Sequence, residues 1–204
     1  MDGIKSIYSF FKNCQDEKTI YIRFDDDIAW VHPQAVKNLL DFRVANARPL
    51  LVFGNIINNS ICTHIHQRIG AVPLMWGAND YSCMSELGWK SGDFSEKIHN
   101  YFLEQLQKGT LDRYYFESWI LQNYERFSIN FFAWFGSDFK KFNGEIGIEE
   151  EEYLACTKPQ MLGRPNVVCG SALVSHFAFY VQRAYLEEKT NILERYHALA
   201  KTLG

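Results

Sequence analysis

The stretch Ile20-Tyr21-Ile22-Arg23-Phe24-Asp25-Asp26-Asp27-Ile28-Ala29-Trp30-Val31 decides how the rest of the chain is read. Two runs rich in β-branched and aromatic residues are interrupted by three adjacent carboxylates. Asp is depleted in strands, and neighbouring ionised carboxylates repel one another unless a cation lies between them. Side chains alternate along an extended backbone, which predicts Asp25 and Asp27 on one side and Asp26 on the other. Such a D-x-D pair suits a hard divalent cation, Mg²⁺ or Mn²⁺, bridging carboxylates to substrate phosphates. The plain structural alternative is an acidic turn joining two strands of a hairpin.

Outward from this stretch, helical and extended patterns alternate. Ile4, Ile7, Tyr8 and Phe11 recur at helical spacing and predict an amphipathic helix over the first dozen residues, leading into a strand at 19–24. A second strand is predicted at 28–32. Pro33 suits the first turn of a helix over 33–46, and the apolar run Leu50-Leu51-Val52-Phe53 reads as a buried strand. Residues 73–93 carry Pro73, Gly77, Gly88 and Gly92 around Trp76, Tyr81 and Trp89, the pattern of a functional or mobile loop. Helices are expected over 93–108, 110–125 and 187–202, a strand over 128–135, and extended segments at 166–169 and 172–180. The alternation predicts an α/β fold with a mostly parallel or mixed sheet flanked by helices. No repeat or linker divides the sequence, so a single domain over 1–204 is expected.

Composition narrows the classes. At 204 residues and 47% hydrophobic content the chain can bury a sizeable core. A net charge of −3 supplies no basic field for nucleic acid or an anionic membrane. No stretch has the length of a transmembrane segment, and no signal-peptide core is evident at the start. Five dispersed cysteines without a CxxC pair indicate reduced thiols, so a cytoplasmic location is expected.

Three further features bear on chemistry. Gly147-Ile148-Glu149-Glu150-Glu151-Glu152-Tyr153-Leu154 gathers four acids, whose mutual repulsion raises the proton affinity of at least one, as a general base requires. The same run would equally suit a solvated helix start. His176, in Val174-Ser175-His176-Phe177, reads by itself as a core histidine. Arg164, Gln182 and Arg183 could meet phosphate oxygens, with ordinary surface charge as the alternative. Trp76 and Trp89 offer platforms for a sugar ring, whereas Trp134, in an apolar strand, belongs to the core. His64 and His66 would diverge on the helix that 59–69 suggests, so they are not taken as a ligand pair.

The segment over 19–40, with its triple Asp between an apolar strand and a short strand plus helix, resembles the metal-binding segment of GT-A-fold glycosyltransferases. The whole chain resembles a glycosyltransferase-like family that carries no assigned activity. The resemblance implies a partial GT-A-like fold and transfer of a sugar from a nucleotide-sugar donor to a glycan or other hydroxyl acceptor, with inversion. It further implies Mn²⁺ or Mg²⁺ held by Asp27, Asp25 and His176, donor contacts from Asp25, Asp26, Arg164 and Arg183, and Glu150 or Glu149 as base. Family members place additional βαβ units ahead of the D-x-D. The resemblance therefore covers the second half of that fold, and an exposed sheet edge available for self-association is expected. Two other readings stay open. One is a haloacid-dehalogenase-like phosphatase using Asp25 as nucleophile and Asp27 as acid, although Ala29 departs from its pattern. The other is a non-catalytic glycan-binding or scaffold module.

Overall fold

The computed structural model describes residues 10–147 and 149–203. Ile4, Ile7 and Tyr8 of the expected N-terminal helix, and Ile148 of the acidic run, lie outside the described residues. The sheet contains β1 (Ile20–Phe24), β2 (Ile28–Val31), β3 (Val52–Ile57), β4 (Ser118–Ile120), β5 (Phe131–Phe135) and β6 (Val167–His176). The helices used below are α1 (Ala35–Ala45), α2 (Ser60–Arg68), α3 (Gly92–Lys108), α4 (Gly136–Lys140), α5 (Glu150–Glu152), α6 (Lys158–Leu162), α7 (Tyr180–Lys189) and α8 (Ile192–Leu203).

The strand order is β1-β5-β3-β6-β2, with β4 also paired to β6. The α/β class with a mixed, helix-flanked sheet is as expected. A mostly parallel sheet is not: β1/β5, β3/β5, β4/β6 and β2/β6 are all antiparallel. Strand–helix alternation dictates parallel pairing only when the helix joins neighbouring strands. Here α1 joins β2 to β3, and β6 lies between them.

The chain forms two compact units, Met1–Asp25, Val36–Gly54 and Glu117–Ala172 in one, Asp26–Ala35, Asn55–Phe116 and Leu173–Gly204 in the other. Each is assembled from three segments, so no single cut separates them and no linker signal appears in the sequence.

The first unit is built around β5, where Phe131, Phe132, Ala133 and Trp134 are all buried. Trp134 is packed by Tyr21, Phe11 and Phe139 at ring-centroid distances of 5.5, 5.5 and 5.1 Å. Its placement in the core agrees with the sequence reading. Gly54 is required by close approach: a Cβ there would lie 2.2 Å from a ring carbon of Phe131. The side chain of Asn166 accepts from the Leu51 amide at 2.9 Å and donates to the Leu154 and Ala155 carbonyls at 3.1 and 3.2 Å. It thereby ties the start of β6 to two other segments. In place of a helix over 110–125 the chain makes a single 3₁₀ turn at Leu111–Tyr114 and then β4. Trp119 and Ile120 are good strand residues, and pairing with Val168 and Val167 satisfies their backbone where a helix would have needed a buried face.

The second unit buries one face of α3, with Phe94, Ile98 and Phe102 in a cluster with Phe177, Leu186 and Tyr196. Ser91 caps that helix by accepting from the Phe94 amide at 3.1 Å, and Gly109 ends it at φ +68°. Residues 172–180 are not one extended segment. The strand stops at His176, and α7 starts at Tyr180.

Candidate active site

Asp26 and Asp27 lie in a turn between β1 and β2, so strict alternation across the triplet fails. Antiparallel pairing of β2 with β6 places Ile28 opposite His176. The Phe177 amide then donates to the Asp27 carbonyl at 2.8 Å, which fixes the turn against the end of β6. The result is that Asp27 Oδ2 lies 3.3 Å from His176 Nε2, across 149 residues of sequence.

His176 is only 2% exposed. Its Nδ1 faces the Asn58 carbonyl at 3.3 Å. Asn58 follows β3 in a left-handed conformation, φ +60°, and its side-chain amide donates to the Phe177 carbonyl at 2.9 Å and to Gln182 Oε1 at 3.1 Å. Both ring nitrogens of His176 therefore face oxygen acceptors. A neutral imidazole has one N–H, so one contact is left without a proton. The pair is satisfied by an imidazolium or by a cation between Nε2 and the carboxylate. Arg183 Nη2 donates to the same Asp27 oxygen at 2.6 Å. Burial pushes the Asp27 carboxyl upward, but the hydrogen bond and charge of His176 and the charge of Arg183 outweigh it and hold the group below the ordinary carboxylate range.

Asp26, Asp27, Arg183 and His197 line a cavity of about 310 Å³ whose apolar wall includes Phe177 and Leu193. Asp26 is exposed at its rim. His197 went unnoticed in the sequence because it lies on the exposed face of α8, where nothing in the local pattern distinguishes it. Asn58 left a faint signal, an Asn directly after a buried strand, since Asn tolerates the left-handed conformation.

Among the described residues, no three or more His, Cys, Asp or Glu side chains are grouped to hold a metal ion. The donor set that does converge is Asp27 with His176. Their 3.3 Å separation is close to the roughly 3 Å edge of an octahedron with arms of about 2.1 Å. Mg²⁺ and Mn²⁺ are commonly held by one or two protein ligands, with water and substrate phosphates completing the shell.

Asp25, expected as a further ligand, is engaged elsewhere, accepting from Arg23 Nη2 and Asn130 Nδ2 at 3.0 Å each. Arg23 also binds Glu150, at the start of α5. The other acids of the run gather on Arg126, whose Nε donates to Glu151 at 2.7 Å while Glu149 and Glu152 lie at 3.8 and 3.6 Å. Two arginines thus hold the four-Glu run. The two base candidates separate clearly: the Glu150 side chain is 13% exposed, the Glu149 side chain 72%. Burial raises the Glu150 carboxyl, the neighbouring charges of Asp25 and Glu151 add to this, and Arg23 only partly opposes it.

Two residues expected to meet phosphate are engaged within the fold. Arg164 makes a two-pronged pair with Asp138, at 2.6 and 2.7 Å, and donates to the carbonyls of Ala47, Arg48 and Pro49. It braces the loop before β3. Gln182 is fully buried and spans Asn58 and the Gly88 carbonyl. His64 and His66 do diverge on α2, bonding the Asn79 carbonyl and the Asn55 side chain respectively.

No family model, curated protein or solved structure matches the chain. No helix among the described residues is long and apolar enough to cross a membrane.

Proposed function

We propose that the chain is a metal-dependent glycosyltransferase, moving a sugar from a nucleoside-diphosphate donor to an acceptor hydroxyl. The observation that carries this reading is the Asp27–His176 pair. A buried imidazole, oriented through Nδ1 by a backbone carbonyl, turns Nε2 toward a carboxylate held ionised. Orientation of a ligating His through its other nitrogen is the usual arrangement around a bound cation. A divalent cation in such a site neutralises the charge that develops on a departing diphosphate. Arg183, facing the same cavity, suits phosphate oxygens, and its bond to Asp27 holds the guanidinium ready. Asp26, exposed at the rim, would accept from donor hydroxyls. Of the two base candidates, both in the other unit, Glu150 is shielded from solvent, paired with Arg23 and raised in proton affinity, whereas Glu149 is open to water. The ligand role narrows to Asp27 and His176, with Asp25 serving to position Arg23 and Asn130.

The test is calorimetric titration of the full chain with Mn²⁺ alone and then with UDP or GDP in its presence. Binding of Mn²⁺ that is lost in Asp27→Asn and kept in Asp25→Asn is the expected result. Unchanged Mn²⁺ binding in Asp27→Asn, or none in the parent protein, overturns the reading.

A further inference from the structure

We propose that Tyr180 and Trp89 form a shelf for a pyranose ring beside the candidate site. Resting on the transferase reading above, this makes the acceptor a saccharide, not the hydroxyl of a protein side chain. Tyr180 is 80% exposed at the first position of α7. Packing gives no reason for an aromatic ring there, since so little of it is removed from water. The ring is nevertheless held: Trp89 meets it edge-on, with centroids 6.1 Å apart and planes at 71°. Behind Trp89 comes Phe179 at 6.4 Å, and Phe179 lies 4.7 Å from the His176 ring. A continuous line of rings thus runs from the proposed metal ligand outward to an exposed aromatic face. Arg183 follows Tyr180 by three residues, on the same side of α7.

The turn that carries Trp89 is built with unusual care. Residues Glu86–Lys90 form a single π-helical turn, a rare conformation that concentrates at functional sites. Gly88 is required in it, because a Cβ would lie 2.8 Å from Asn79 Oδ1 and 3.0 Å from Ser60 Oγ. Its amide donates to Asn79 Oδ1 and Ser85 Oγ, both at 2.8 Å. Its carbonyl accepts from Gln182 Nε2 at 3.3 Å, and Gln182 Oε1 accepts from Asn58, whose own carbonyl orients His176. One buried chain of hydrogen bonds therefore fixes both the shelf and the imidazole. Such shared anchoring has a purpose if a ligand on the shelf must be registered against the site within a fraction of an ångström. A pyranose supplies the matching chemistry: C–H bonds on one face for the negative face of an aromatic ring, and hydroxyls around the rim.

The experiment is saturation-transfer NMR on the full chain, without metal or nucleotide, using methyl β-galactoside, methyl β-glucoside and a Ser/Thr-containing peptide as probes. The expected result is transfer to the ring protons of at least one pyranoside. Tyr180→Ala should weaken it about fivefold, the loss of one ring contact of about 1 kcal/mol. Tyr180→Phe should retain it. Folding is not in question for so exposed a side chain. No transfer to either sugar, an unchanged signal in Tyr180→Ala, or a Tyr180-dependent signal from the peptide alone overturns the shelf. The two proposals fail separately: absence of Mn²⁺ binding in the parent protein overturns the transferase reading, whereas pyranoside binding is read without metal and turns on Tyr180.

Discussion

Replacing Arg164 by Ala tests whether this residue braces the fold, as its contacts indicate, or serves a ligand, as the family resemblance implied. The substitution removes both prongs of the pair with Asp138 and the bonds to three carbonyls of the loop before β3. Asp138 is left 5% exposed, with Lys141 at 2.9 Å as its remaining cation. Breaking a buried pair from one side costs about 3–5 kcal/mol. The flexible, well-solvated Lys141 recovers part of this, so a loss of about 2–3 kcal/mol is expected. Burial would raise the Asp138 carboxyl, but the hydrogen bonds from Arg164 and Lys141 prevail and hold it below its ordinary value. A depressed carboxylate contributes stability that is present above its unfolded pKa of about 3.9 and is lost as pH falls through the folded value. The difference between parent and variant should therefore be full at pH 7 and shrink below pH 4. Urea denaturation at several pH values measures both quantities. A loss under about 0.5 kcal/mol, or a difference independent of pH, refutes the bracing role.

Three other outcomes are expected. On the transferase reading, Glu150→Gln should abolish sugar transfer and, by breaking the half-buried pair with Arg23, lower the urea midpoint modestly; in the parent the acidic limb of the rate profile should lie above that of an ordinary glutamate, because the base must be ionised and its pKa is raised. Asn166→Ala should cost about 2–4 kcal/mol by thermal denaturation, since it leaves the Leu51 amide and the Leu154 and Ala155 carbonyls without their partner. Burial pushes His66 down to about 3 and His99 down to about 4, so both stay neutral in the fold while the unfolded chain takes up their protons below about pH 6.5. Stability should accordingly fall as pH drops from 7 toward 5, with proton uptake on unfolding approaching two from these groups. A flat dependence in that window would show both rings to be charged in the fold, and an uptake near one would show that one of them is.

The local elements around the acidic triplet could be read from the letters because local preference and tertiary placement agree there. Ile20–Phe24 and Ile28–Val31 are strands, Ala35–Ala45 and Gly92–Lys108 are helices, and Trp134 is core. In these segments periodicity and propensity point to the same state. Where they did not, as at 110–125 and 172–180, strand pairing with β6 and the break after His176 decided the outcome.

Sequence alone determined that three carboxylates interrupt an apolar strand pair and that four acids gather later in the chain; the raised proton affinity of Glu150 comes chiefly from burial, which the tertiary structure decided. The sequence could not say which acid meets which cation, because a carboxylate's partner is fixed by strand register and turn geometry, and neither is encoded locally. The register of β2 on β6 gave Asp27 to His176 and Arg183. Asp25 went to Arg23 and Asn130, Glu150 to Arg23, and Arg164 to Asp138. Electrostatic attraction falls off within a few ångströms in water, so the chemistry of each charge follows from its nearest neighbours in space.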